Sequence, residues 1–347
     1  MGLPYITLKI ISIRTETHDV KSFVLEPVDS PPLHYKAGQF LTLTFPGTSE
    51  RRSYSISSTA FLGEPLTITV KRLDNGAFSR YLFDECKVGS LLSTIGTSGF
   101  FTLPENLKPF QKVVFFAGGS GITPMLPLIK TLLHHHPEVK VHLVYSNHTK
   151  SDTIFLNELI DLEKKFPSFQ PDYLSSDAKQ LLKARLSKES VARFIHSWFP
   201  GDKSTALCYM CGPHNYMQMV SIVLLAEGVP SENIRREIFD TTKKVVKELP
   251  PDQEAHKVTI RFEGQEFILD AKYPQTILEA AKQKGIILPY SCEAGKCGTC
   301  TATCMKGRVW MSYNEVLVER ELQMGRVLTC TGYAVGGDVV VEFPSHK

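Results

Sequence analysis

The chain has 347 residues, with 39 Lys and Arg against 36 Asp and Glu and a formal net charge of +3. That length implies two or three domains, and so small a charge, with no basic run of five or more, argues against a nucleic-acid partner. No stretch approaches the roughly eighteen apolar residues of a membrane span, and the start lacks a signal peptide's long apolar core and cleavage site, so a cytoplasmic protein is expected.

Residues 1–105 read as mostly strand. Runs such as "YITLKIISI", "FLTLTF" and "LTITVKRL" are separated by turn signals such as "VDSPP" and "LDNG". Many short strands at close spacing predict an antiparallel barrel or sandwich. Within them, "RRSYSISS" sets Arg52 and Tyr54 on one strand face and Ser55 on the other. An arginine can grip a phosphate with two donors, a tyrosine ring can stack on a flat heterocycle, and a serine hydroxyl can donate to a ring nitrogen. A plain surface strand with scattered charges is the competing reading. "VKRLDNGAFSRYL" adds Lys71, a turn at Gly76 and Ser79 at the opening of a helix, a second candidate for phosphate.

Residues 106–240 alternate strands and helices, which predicts a parallel α/β sheet. "FFAGGSGITPMLPLIKTLL" is a strand, a glycine turn and a helix over 124–135. Gly118, Gly119 and Gly121 permit a tight turn and a close backbone approach to a ligand. Thr123 fits an N-cap and Pro124 the first helical position, while Pro127 sits awkwardly inside the first turn. A helix start with free amides suits a pyrophosphate; a ligand-free strand–helix turn would look similar. In "YMCGP", Cys211 ends a parallel strand and Gly212 and Pro213 turn the chain, whereas Cys208 reads as a core thiol.

Residues 241–256 are polar with a double proline and read as a linker. The remainder, 257–347, is expected to open with a hairpin and a helix near 276–285. It also holds most of the cysteines: four of the chain's eight lie in 292–304, with Cys330 further on. A reducing compartment disfavours a disulfide framework, leaving zinc or an iron–sulfur cluster. Cys292-x4-Cys297-x2-Cys300 with the distant Cys330 is the plant-type [2Fe–2S] spacing, and the second half lacks the paired cysteines of a zinc knuckle. Gly295 and Gly298 would let the loop curl with its amides toward the sulfurs. Cys304 is extra and reads as a packed core thiol.

"RSYS", "GAFS", "GGSGITP", "CGP" and "EIF" occur in the order and spacing of the ferredoxin–NADP reductase superfamily, which residues 5–240 resemble. Residues 257–347 resemble a plant-type ferredoxin. The resemblance implies a multidomain chain: an antiparallel β-barrel for FAD, an α/β parallel-sheet nucleotide domain and an α+β β-grasp ferredoxin domain. It implies Arg52 for the flavin phosphate, Tyr54 for isoalloxazine stacking and Ser55 near the reactive nitrogen. Ser53, Val70, Lys71, Gly76 and Ser79 would complete the flavin contacts. Gly118, Gly119, Gly121, Thr123 and Pro124 would form the turn for the nicotinamide nucleotide. Cys211, Gly212 and Pro213 would lie by the nicotinamide, and Glu237 and Phe239 would return toward the flavin. Ser55, Cys211 and Glu237 are thus the expected catalytic residues.

Where many relatives carry "Y-x-N-R", this chain has "YSNHTK", with His148 and Lys150 and no acid at that strand end. NADPH is therefore preferred over NADH. The whole order resembles reductase components of bacterial multicomponent oxygenases, with the phenylacetyl-CoA epoxidase reductases as the nearest type. It implies electron flow from NAD(P)H through FAD and [2Fe–2S] to an acceptor protein such as an oxygenase component. A redox sensor or electron store, or the reductase of a non-oxygenase redox protein, would carry the same motifs.

Overall fold

The computed structural model describes residues 5–179, 184–242 and 248–344, so positions 243–247 of the expected linker lie outside the described residues. The chain divides into two compact units. One comprises Ile6–Ser49 and Tyr54–Ile238; the other joins Glu50–Ser53 to Phe239–Lys347 and the N-terminal residues.

The expected barrel is a six-stranded antiparallel sheet: β1 (Ile6–Thr17), β2 (Val20–Pro27), β3 (Phe40–Thr44), β4 (Arg51–Ser55), β5 (Thr67–Lys71) and β6 (Leu91–Ser98). They run in the order β4-β3-β6-β1-β2-β5, and an antiparallel bridge from Ile56 to Ile68 joins the two ends. Period-two alternation turns Leu8, Ile10, Phe23, Leu25, Leu41, Leu43 and Ile68 into one buried core.

The second sheet is parallel, as alternating strands and helices require: β7 (Lys112–Gly118), β8 (Lys140–Asn147), β9 (Phe169–Ser175), β10 (Ala206–Cys211) and β11 (Ile234–Glu237), ordered β11-β10-β7-β8-β9. Odd positions of β7 and β10, among them Phe115, Tyr209 and Cys211, pack with the helix Met125–His135. Even positions, among them Phe116, Cys208 and Met210, pack with the helices Lys188–Trp198 and His214–Ala226. Building runs from β7 outward to β9, then restarts on the other side of β7 with β10. The strand order therefore reverses between β7 and β10, and at such a switch point the carboxyl ends open a ligand crevice.

The helix after the glycine turn begins later than its sequence suggests. A 3₁₀ turn, Gly119–Ile122, precedes it, and Thr123 is already helical. Thr123 Oγ1 donates to the Ser120 carbonyl at 2.9 Å, so Thr123 is not the N-cap, and Pro124 occupies that place. Pro127 is tolerated because the first-turn amides have no helical partner to lose.

The third sheet is mixed: β12 (His256–Phe262), β13 (Gln265–Ala271), β14 (Thr301–Lys306), β16 (Arg326–Leu328) and β18 (Val339–Glu342), ordered β13-β12-β18-β14-β16. A small ladder, β15 (Val309–Met311) with β17 (Gly332–Ala334), accompanies it. The helix Ile277–Gln283 starts with a capping box: Thr276 accepts from the Glu279 amide and Glu279 accepts from the Thr276 amide. This is the α+β arrangement expected of the last domain. Among the described residues no helix is long and apolar enough to cross a membrane.

Inside the first unit, one buried cation ties a barrel loop to the α/β layer. Lys130, on the helix Met125–His135, is 7% exposed. Its ammonium pairs with Glu64 and, at 2.8 Å, with Glu158. Burial alone would push the amine down, but the bonds and charges of Glu158 and Glu64 outweigh it and raise the pKa. A raised pKa means the contribution is full across neutral pH and is lost only as pH climbs through the amine's own range. Lys130→Met should destabilise the chain by about 2–3 kcal/mol at pH 7, because two partly buried carboxylates lose their partner; a shifted urea midpoint with unchanged slope is the measurement.

Candidate functional site

At the switch point, two turns press backbone on backbone. A Cβ on Gly121 would lie 2.0 Å from the Cys211 carbonyl oxygen, and one on Gly118 would lie 2.9 Å from the Pro213 ring. Gly119 is left-handed at φ +53°. Glycine is needed here for contact between the β7 and β10 turns as much as for any ligand. Two tyrosines to which the sequence assigns no role at this turn hold it, Tyr145 as the first residue of "YSNHTK" and Tyr216 in no motif. Tyr145 donates to the Gly119 carbonyl at 3.1 Å and accepts from the Ile154 amide; Tyr216 donates to the Ala117 carbonyl at 3.2 Å.

Cys211 is fully buried at the end of β10, opposite Glu237 of β11 in the parallel register. Burial, with the Glu237 carboxyl nearby, pushes its thiol well up, so it is a neutral S–H. Burial also pushes Glu237 up to about 8, so that carboxyl carries its proton at neutral pH. The structure thus brings two of the three expected catalytic residues together in uncharged form, beside Gly212 and Pro213. His148 and Lys150 are exposed beyond β8. The same end does hold acids: Asp152 accepts from Thr149 in a capping box, and Asp177 accepts from Ser175. Helical return and the next strand's end bring them there, which linear spacing does not reveal.

On the barrel, the Ser55 hydroxyl is buried with no partner. An orphaned hydroxyl at this place fits a group that supplies an acceptor, as a flavin ring nitrogen does. The Tyr54 ring packs edge-on against Phe78, with centroids 5.7 Å apart. Val70 is buried within β5, and Lys71 pairs with Asp19 at 3.2 Å. Ser79 is already engaged: it donates to the Gly76 carbonyl and accepts from the Leu73 amide, closing its own turn. A Cβ on Gly76 would sit 2.5 Å from that Ser79 oxygen. Arg52, Ser53 and Phe239 group instead with the cysteine-bearing unit. Arg52 pairs there with Glu50 at 2.6 Å and donates to the Arg51 carbonyl at 2.8 Å, and Phe239 is exposed.

In that unit, Thr301 pairs with Leu328 across β14 and β16, and the Thr329 amide and hydroxyl both donate to the Cys300 carbonyl. This sets the Cys300 and Cys330 thiols side by side, with Cys300 pushed well up by the Cys330 thiol and by burial. Cys292 and Cys297 form the other pair. The Cys297 thiol draws Cys292 down to about 6, helped by the amides of Ala294, Lys296 and Cys297. The Ala294 amide lies 3.4 Å from the Cys292 sulfur. Gly295 and Gly298 adopt φ of +69° and +75°, and a Cβ on Gly295 would be 2.7 Å from the Tyr313 carbonyl.

The loop therefore curls with amides inward, as its glycines suggest. Among the described residues no three of His, Cys, Asp and Glu converge on a single-ion site. Thiols arranged two by two suit a pair of bridged irons, each taking two thiolates, and do not suit one zinc. All eight cysteines are free. Cys304 is not a core thiol: it is half-exposed and turns toward the Lys306 and Gly307 carbonyls, because β14 shifts register between Cys304 and Lys306.

Comparison with known proteins finds three domain families along the chain. An oxidoreductase FAD-binding domain matches residues 7–103, an oxidoreductase NAD-binding domain 115–221, and a 2Fe-2S iron-sulfur cluster binding domain 260–335. The chain is 32% identical over 355 residues to one of the subunits of the 1,2-phenylacetyl-CoA epoxidase of Escherichia coli (strain K12), covering 97% of each chain. It is 30% identical to the ferredoxin reductase component of 3-ketosteroid-9-alpha-monooxygenase of Rhodococcus rhodochrous, covering 99% of this chain and 98% of that one. The structure of phthalate dioxygenase reductase, described as modular for electron transfer from pyridine nucleotides to [2Fe–2S], superposes with a TM-score of 0.61 at 25% identity, covering 98% of both. A flavin fold, a nucleotide crevice and a two-by-two thiol loop in one chain, matched end to end by these relatives, place it in the family of NAD(P)H-dependent flavin and [2Fe–2S] oxidoreductases to which oxygenase reductase components belong.

Proposed function

We propose that this NAD(P)H-dependent flavin and iron–sulfur oxidoreductase is the reductase component of a multicomponent oxygenase. The two-by-two thiol pairing inside an amide-lined loop carries the reading, because it gives a nucleotide-binding chain an outlet for single electrons. When bound, FAD takes an electron pair as hydride and releases it singly, and a [2Fe–2S] cluster carries one electron at a time.

The chain's own residues bind and orient. The Gly118–Pro124 turn offers amides and a close approach to the nucleotide's phosphates. Cys211 and Glu237, both uncharged at neutral pH, would line the nicotinamide's place in the crevice without fixed charge. Ser55 supplies a buried donor without a competing partner. Arg52 would exchange its exposed pairing with Glu50 for a flavin phosphate, a stronger two-donor contact. Cys292, Cys297, Cys300 and Cys330 would hold the cluster. His148 and Lys150 support a 2′-phosphate, with Asp152 already taken by Thr149. The boundaries 1–105, 106–240 and 257–347 follow as the working division, and the free cysteines support a reducing, cytoplasmic setting.

Cys297→Ser should abolish cluster absorbance and cytochrome c reduction but keep NAD(P)H–ferricyanide activity within about twofold, as expected if dye reduction needs only the flavin. Loss of both activities from a folded, flavin-loaded variant would refute the relay order. Ser55→Ala should slow the bleaching of flavin absorbance by NAD(P)H roughly 10²-fold with flavin content retained; stopped-flow traces that overlay the parent remove Ser55 from the chemistry. Glu237 binds a proton more tightly folded, at about 8, than unfolded, near 4.5. Stability should therefore decline between those pH values and level off above them, and Glu237→Gln should flatten that slope in urea titrations run from pH 5 to 9.

A further inference from the structure

Within the cysteine-bearing unit, Arg51 is a buried cation without a carboxylate. It is 4% exposed. One of its terminal nitrogens donates to the Leu288 and Tyr290 carbonyls, each at 3.3 Å. Its guanidinium carbon lies 3.9 Å from the centre of the Tyr290 ring. Its Nε has no partner at all, and among the described residues no acid lies within ion-pair distance of it. The other buried cation of this unit differs: Lys296 is neutralised by Asp240 at 2.9 Å and bonded to the Thr242 carbonyl.

A buried guanidinium held only by carbonyls and a ring is costly unless an anion completes its surroundings. The carbonyls it holds belong to the segment that runs straight into Cys292. Ser53, two residues on, hydrogen-bonds Ser291 at 2.8 Å, so the same segment is gripped twice. Strand alternation turns Arg51 and Ser53 to one side and Arg52 to the other. The flavin phosphate is thereby left to Arg52. The anion that fits Arg51 is the thiolate-bound cluster, which becomes more negative when reduced.

We propose that Arg51 is a built-in counter-charge for the cluster, favouring its reduced state, and that its grip on Leu288 and Tyr290 fixes that charge beside the loop. The inference rests on the [2Fe–2S] reading of the four cysteines. Net charge close to a cluster is one of the terms that sets its potential.

The test is a dye-equilibrated redox titration of the purified, flavin- and iron-loaded chain, followed by the cluster's electron paramagnetic resonance signal. Arg51→Gln and Arg51→Met should bind the electron roughly tenfold more weakly, a potential lower by about 59 mV for a one-electron couple. Arg51→Lys, which keeps the charge and loses the planar fork, should titrate close to the parent. Flavin content should be unchanged in all three. Neutral variants titrating at the parent potential would overturn the proposal, as would loss of flavin, which would assign Arg51 to the flavin phosphate. If the neutral variants fail to take up iron, Arg51→Lys decides alone: a potential well below the parent's counts against the charge. A parent chain that takes up no iron would instead refute the cluster reading itself.

Discussion

Three cysteine sulfurs in one loop, joined by a fourth from beyond β16, pose a problem of charge, and much of the last domain is its solution. Thiolates are ligands only when deprotonated, and deprotonation in a buried place is unfavourable unless dipoles or cations meet the charge. Here the meeting groups are main-chain amides. Ala294, Lys296 and Cys297 all aim their N–H groups at Cys292. That aim requires left-handed backbone at Gly295 and Gly298, and a side chain at Gly295 would strike the Tyr313 carbonyl. The Tyr313 carbonyl is itself held by the Thr331 hydroxyl at 2.8 Å, next to Cys330. Loop curvature, the packing of the 312–317 segment and the position of the fourth cysteine are therefore one linked constraint.

The nucleotide crevice solves a different problem, that of distance. Adjacent turns of a parallel sheet can flank a ligand closely only if the backbones touch, and Gly121 against Cys211 is such a contact. The Tyr145 and Tyr216 hydroxyls then donate to the Gly119 carbonyl of the tight turn and to the Ala117 carbonyl near the end of β7. Both hydroxyls are driven far above their ordinary pKa by burial, so they remain donors under all ordinary conditions. Lys130 anchors the same helix from its middle, so the turn is pinned at its strand, its glycines and its helix.

Spacing makes some of this legible and hides the rest. C-x4-C-x2-C, the glycine turn and the alternation of strands and helices are local patterns, and each has a physical cause acting within a few residues. Thr123 departs from its expected place because a 3₁₀ turn inserted ahead of the helix moves the cap by one position, and no residue type announces that. Cys304 is half-exposed at a register shift in β14, its sulfur on the Lys306 and Gly307 carbonyls, and no residue type signals that shift. Tyr216 and Lys130 carry no motif, and the "YSNHTK" stretch says nothing of what the Tyr145 hydroxyl holds: their roles come from partners 26 residues away for Tyr145, 99 for Tyr216 and 28 for Lys130. The acids beyond β8 are hidden for the same reason, arriving by helix and neighbouring strand.

The stretch "RRSYS" shows how a motif can be recognised and still be half-read. Taken as a string, its last four residues all point to one ligand. A strand does not work that way, because successive side chains point to opposite sides. Arg51 and Ser53 hold Leu288, Tyr290 and Ser291, while Ser55 is left with a buried and unanswered hydroxyl. Two adjacent arginines thus face different electrostatic tasks. Arg52, half-exposed and paired with Glu50, is the one proposed for the flavin phosphate. Arg51 is buried, with one terminal nitrogen on two carbonyls and its Nε without a partner, and the anion proposed to complete it is one held within its own unit.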